Sequence, residues 1–171
     1  AGVRSAISAA AARRSETGGR RVPEGNLHLT LAFLGQVEAD MVPRLEQAAA
    51  GVTFTPFTIA LDHMAVFPGV RVRYLGASAP PAELFALHDA LAAGLAGSAG
   101  VCAASAPKAQ PFTPHVTIAR AVPEATDSRP IGLSEPVIWS VSEFVLVHSD
   151  RARGASAYQL VGAWPKPRAK A

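Results

Sequence analysis

One cysteine, Cys102, is all that the 171 residues contain, so neither an intramolecular disulfide nor a cysteine zinc cluster can be built. That fits a reducing compartment, the cytoplasm. No apolar run approaches the roughly 20 residues that cross a bilayer, so no membrane partner is expected. The Ala-rich start is interrupted by Arg4, Arg13 and Arg14 and lacks the clean apolar core of a signal peptide. The five histidines are scattered, no His-Glu-x-x-His occurs, and no carboxylate sits at ligand spacing from the histidines discussed below. A metal centre is therefore not expected, and no cofactor is. A Gly-x-x-x-x-Gly-Lys-Ser/Thr phosphate loop is also missing. Charged residues make up only 17%, and the net charge is +3, enough to favour a polyanionic ligand but far short of a nucleic-acid-coating protein.

What the chain does have is one short pattern twice. Asn26-Leu27-His28-Leu29-Thr30-Leu31-Ala32-Phe33-Leu34-Gly35 returns, altered, as Phe112-Thr113-Pro114-His115-Val116-Thr117-Ile118-Ala119-Arg120. Both runs are rich in strand formers, and side chains of a strand alternate between its faces. His28 and Thr30 then share a face, as do His115 and Thr117, each pair about 7 Å apart along its strand. Leu27, Leu29, Leu31 and Phe33 are left to pack on the other side of the first run, and Val116 and Ile118 on that of the second. Two imidazoles and two hydroxyls converging on one cleft suit phosphate diester chemistry without a metal. A neutral His takes a proton from water, a protonated His gives one to the leaving oxygen, and the hydroxyls stabilise the oxygens on which charge develops.

Along the chain, helices are expected at Val3–Arg14, Glu38–Ala50 and Ala82–Ala96, the last opened by Pro80-Pro81 and striped by Leu84, Leu87, Leu91 and Leu95. Ser15–Gly19 reads as loop, and Arg20–Val22 as a brief extended piece before the first motif. Phe54–Phe67 and Val70–Leu75 read as a hairpin across Pro68-Gly69. Gly97–Gln110 reads as a long loop and Ala121–Pro136 as irregular. Val137–Ser149 and Ala157–Trp164 read as the final strands. The two motifs look like a loose internal duplication of an α+β unit.

At these residues the sequence resembles the 2H phosphoesterase family, and within it the RNA 2′,3′-cyclic phosphodiesterase branch, also called 2′-5′ RNA ligases. The resemblance covers nearly the whole chain, including the helix around Leu84–His88 and the strand Phe144–Ser149. It implies one two-lobed α+β domain over residues 1–171. Two curved antiparallel sheets with flanking helices would be related by a pseudo-two-fold around a central cleft. It implies hydrolysis of RNA 2′,3′-cyclic phosphate ends to 2′-phosphomonoesters, reversible as 2′-5′ ligation, by a monomer acting on an RNA or oligonucleotide end. His28 would be the proton donor, His115 the acceptor, and Thr30 and Thr117 would hold the phosphoryl oxygens. Family members usually begin with an Arg-Leu-Phe-hydrophobic strand ahead of the first helix. This chain starts directly with Ala1-Gly2-Val3 in what reads as that helix, so either the strand is missing or the start is divergent; its absence would leave a sheet edge or slot uncovered next to the cleft.

Two other functions fit the same residues: an RNA- or nucleotide-binding module without turnover, and a cyclic phosphodiesterase acting on small nucleotides. Arg120 has two readings as well. The resemblance gives it a substrate phosphate, whereas regular strand parity turns it away from Thr117 unless the strand bulges or ends. Arg71, Arg73 and Tyr74 could line an RNA groove by charge and stacking, or be solvent-facing positions of an amphipathic strand. His63, His88 and His148 read as structural, and Cys102 as inert.

Overall fold

A computed structural model describes residues 2–13, 18–67, 69–96, 111–123, 127–150 and 157–165. The elements run α1 (Val3–Ala12), β1 (Arg20–Arg21), α2 (Val42–Ala50), β2 (Phe57–Phe67), β3 (Val72–Gly76), α3 (Ala82–Ala96), β4 (His115–Arg120), β5 (Ile131–Val141), β6 (Phe144–Asp150) and β7 (Ala157–Trp164). Single turns of 3-10 helix precede the first motif at Glu24–Asn26 and lead into α2 at Ala39–Met41. This is the expected α+β class, with two antiparallel sheets and few helices.

Two compact units divide the chain. One takes Ala1–Thr30, Thr58–Pro80 and Thr113–Ser140; the other takes Leu31–Phe57, Pro81–Phe112 and Val141–Ala171. The first carries nearly all of a five-stranded sheet in the order β1-β4-β3-β2-β5. Its core includes Val66, Ala119 and Val122, and α1 buries Ile7 and Ala10. The second unit holds the two-stranded sheet β6-β7. There Leu45 of α2 and Leu95 of α3 pack with Leu34, Val37, Met41, Ala48 and Leu146. Leu84, Leu87, Leu91 and Leu95 are all buried along α3, as their spacing requires. Phe144 of β6 packs between Phe54, edge-on at 5.8 Å, and Trp164 of β7, stacked at 5.7 Å.

Several expectations change. The first motif is not a regular strand: it meets the sheet only through an isolated antiparallel bridge, Leu29 to Val116. Arg20–Val22 already occupies that edge of β4, pairing with Arg120 and Ala119 and sending the Val22 N–H to the Ile118 carbonyl at 2.9 Å. Only the start of β4 is left for the motif. Past Thr30 the chain belongs to the other unit, and Phe33, expected to be packed away, is 61% exposed. Residues 131–136, expected to be irregular, begin β5, and the strand expected over Val137–Ser149 is two strands parted at Ser142-Glu143. Pro136 is tolerated because β5 is an edge strand. The Gly97–Gln110 loop and Cys102 lie outside the described residues.

Candidate active site

The bridge between Leu29 and Val116 sets the geometry. In an antiparallel pair, the residue before one partner lies beside the residue after the other. His28 therefore comes beside Thr117, and Thr30 beside His115. Each motif histidine lies across from the threonine of the other motif. On the opposite side of β4, Gly76 pairs with His115 and Tyr74 with Thr117; beyond them His63 pairs with Gly76, Ala65 with Tyr74 and Phe67 with Val72.

Cross-strand partners share a face, so three rungs cross one side of the sheet. The first is Thr30, His115, Gly76, His63. The second is His28, Thr117, Tyr74, Ala65. The third is Arg20, Arg120, Val72, Phe67. Arg120 joins this face through a bulge. Tyr74 pairs with Thr117 but Arg73 with Ala119, which leaves Ile118 as the extra residue and resets the alternation. Regular parity would have turned Arg120 away.

The same bulge accounts for Arg73. It pairs with Ala119 on the core side, is 6% exposed, and its guanidinium donates to the Gly18 carbonyl at 3.2 Å. There it lines a recess with Arg21, Gly19 and Ile118. The structure thus does not bring Arg73 to the histidines, whereas Tyr74 lies in the row beside Thr117. Arg71 turns at φ 57° and donates its Nε to the Val122 carbonyl at 2.8 Å.

Both motif histidines are held alike. His28 Nδ1 lies 2.7 Å from the carbonyl oxygen of Asn26, and His115 Nδ1 lies 2.7 Å from that of Thr113. A carbonyl can only accept, so each Nδ1 carries a proton. Around His115 the ring of Phe67 stands edge-on at 4.8 Å and that of Tyr74 at 5.6 Å, while Phe67 and Tyr74 stack on each other at 4.1 Å. Burial pushes the His115 imidazole below its usual value. The bond to Thr113 works the other way, and the nearby charges of His28 and Arg120 add to the lowering.

Sequence reasoning passed over two residues of this face. Arg20 stands directly across from Arg120. His63, read as structural, belongs to the rung of His115. Its Nδ1 hydrogen-bonds Asp62 Oδ1 at 2.8 Å, and Asp62 also accepts from the Ser78 N–H and hydroxyl. Burial raises the Asp62 carboxyl, but the bonds from His63 and Ser78 outweigh it and hold the group below the carboxylate range. Counting residues back from the hairpin turn would have placed His63. The other two histidines stand elsewhere: His88 on α3 stacks on Phe112 at 4.1 Å, and His148 is exposed on β6. Among the described residues no group of three or more His, Cys, Asp or Glu could hold a metal ion, and no helix is long and apolar enough to cross a membrane.

Residues 3–153 match the family model of the 2′-5′ RNA ligase superfamily. The chain belongs to that superfamily. The RNA 2′,3′-cyclic phosphodiesterase of Escherichia coli K12 is 38% identical over 148 residues, 85% of this chain and 79% of that protein. A protein of the same name from Aeropyrum pernix is 32% identical over 104 residues, covering 59% and 56% of the two chains. Among solved structures, E. coli LigT complexed with 3′-AMP superposes with a TM-score of 0.81 at 33% identity, covering 95% of this chain and 90% of that one. TT0787 of Thermus thermophilus gives 0.78 at 29% identity, covering 94% and 90%. The 2H phosphoesterase resemblance seen in the two motifs is thus matched across nearly the whole chain.

Proposed function

We propose that this protein hydrolyses RNA 2′,3′-cyclic phosphate ends to 2′-phosphomonoesters by metal-independent acid/base catalysis, as a monomer in the cytoplasm. The observation that supports the reading is the crossed arrangement of the motifs, each Nδ1 held by a backbone carbonyl and each histidine across from the other motif's threonine. His115, lowered by burial and by the charges near it, is neutral and suited to act as base. Its Nε2 takes a proton from water as the water oxygen attacks phosphorus. The P–O3′ bond breaks, and His28 Nε2–H protonates the departing 3′ oxygen. The products are a 2′-phosphomonoester and a 3′-hydroxyl. Thr30 and Thr117 donate to the non-bridging oxygens, and Arg120 offsets their charge. With a 5′-hydroxyl in place of water, His115 takes the proton of that hydroxyl, its oxygen bonds to phosphorus, the P–O3′ bond breaks with His28 protonating O3′, and a 2′-5′ linkage results. Tyr74, with Phe67 stacked on it, gives a base a face to lie against.

The test is hydrolysis of a short RNA ending in 2′,3′-cyclic phosphate, with EDTA present. Wild type should turn it over to a 2′-phosphate, and His28→Ala and His115→Ala should each lose about 10² to 10⁴ in rate. Activity that disappears with EDTA would overturn the mechanism. A folded protein with no activity would favour a binding module.

A further inference from the structure

We propose that His63 is a substrate-binding residue that holds the phosphodiester one nucleotide upstream of the cyclic phosphate. The proposal rests on the RNA-end reading above and names what it leaves open: the group that distinguishes an oligonucleotide from a mononucleotide.

His63 shares its rung with His115, the two separated by Gly76 alone. Strands stand about 4.8 Å apart, so the two backbones are about 10 Å apart at this level. The His63 ring leans into that interval. A Cβ built on Gly76 would fall 2.5 Å from Nε2 and 2.8 Å from Cε1. Gly76 is not among the residues with positive φ, so the strand uses its missing side chain rather than its backbone freedom. What glycine leaves clear at this position is room for the His63 imidazole.

The imidazole is also built from behind. Asp62 Oδ1 accepts from Nδ1 at 2.8 Å, and Ser78 fixes Asp62 with its N–H at 3.0 Å and its hydroxyl at 3.1 Å. A carboxylate at Nδ1 orients the ring and favours its doubly protonated form, in which Nε2–H, lying over Gly76 toward the His115 strand, donates to an anion. The face already carries Arg120 and the two motif histidines for the reacting phosphate. The phosphate served by His63 is therefore the next one along the strand, about one nucleotide step away. Phe67 and Tyr74 stack beside this row, so a basic track flanked by aromatic rings follows the single strand.

The experiment measures binding, so it is independent of turnover; hydrolysis by the wild type, assayed separately, reports on the proposed activity itself. The probes are a diadenosine dinucleotide ending in 2′-phosphate and its analogue with a neutral methylphosphonate linkage. Wild type should bind the neutral analogue about tenfold more weakly, the size of one charge-assisted hydrogen bond in a part-open site. His63→Gln should bind the charged dinucleotide about tenfold more weakly than wild type and distinguish the two probes by less than about twofold. Gly76→Ala, which crowds the ring, should lose the same discrimination and covers the case in which His63→Gln does not fold. A wild type indifferent to the linkage charge would overturn the proposal. So would variants that keep the full discrimination, since the contact would then lie elsewhere on the face.

Discussion

His28 and His115 are held by the same hook: each gives its Nδ1–H to the carbonyl two residues upstream, at 2.7 Å in both cases. The hook settles the tautomer and restricts the ring with backbone atoms alone, so neither imidazole needs a carboxylate behind it. Burial, together with the charges of His28 and Arg120, bears on His115 and lowers it.

A pH profile should register that lowering. The base must be unprotonated, and the lowered value keeps His115 so at pH values where an ordinary histidine, near 6.5, would already be charged. The acid limb of kcat/KM should therefore lie below about 6.5, and Arg120→Gln should move it upward toward that value. The same lowering makes the fold weaker as pH falls through this range, because the unfolded chain then binds the proton more readily. Urea midpoints measured between pH 8 and 5 should decline accordingly.

Thr30 and Thr117 lie across from the partner motif's histidines, so losing either hydroxyl should affect the transition state more than substrate binding. Thr30→Val and Thr117→Val keep the shape and remove the donor. Each should lower kcat by about 10² to 10³, with the serine variants retaining much of the rate. A change in KM alone would place the hydroxyls outside the chemistry.

Salt should reveal the third rung. Arg20→Gln and Arg120→Gln should each flatten the plot of log K against log salt by about 0.7 for a single-stranded oligonucleotide, and Arg73→Gln should leave the slope in place. The contrast follows from Arg73 lying on the core side, against Gly18.

These residues also mark how far sequence could be read. The His/Thr pairs were legible because alternation on a strand is a fixed period, and the periodic α3 and β7 occur at Ala82–Ala96 and Ala157–Trp164 as expected. Arg120 was not legible, since no pattern in His115–Arg120 announces that Ile118 is an extra residue. Neither was the burial of Arg73, which depends on the same bulge. His63 needed the hairpin register, which starts at Phe67 pairing with Val72. The start of β5 was hidden by Gly132 and Pro136, residues that a central strand would refuse but an edge accepts.

Leu75 pairs with Val116 on the core side and is fully buried. Leu75→Ala should cost about 2 to 5 kcal/mol in urea denaturation. Because Tyr74 and Gly76 flank it on the other face, catalysis should drop with the folded fraction rather than ahead of it.

Arg20 against Arg120 is a pairing that repels, on a strand only two residues long. Its cohesion is therefore on loan from whatever anion comes to lie between the two guanidinium groups. With the face empty, this margin of the sheet should breathe; with a phosphate in place, the repulsion becomes a shared attraction. Amide exchange at Val22, whose N–H reaches the Ile118 carbonyl, should slow on adding oligonucleotide, so that the ligand fastens the edge that receives it.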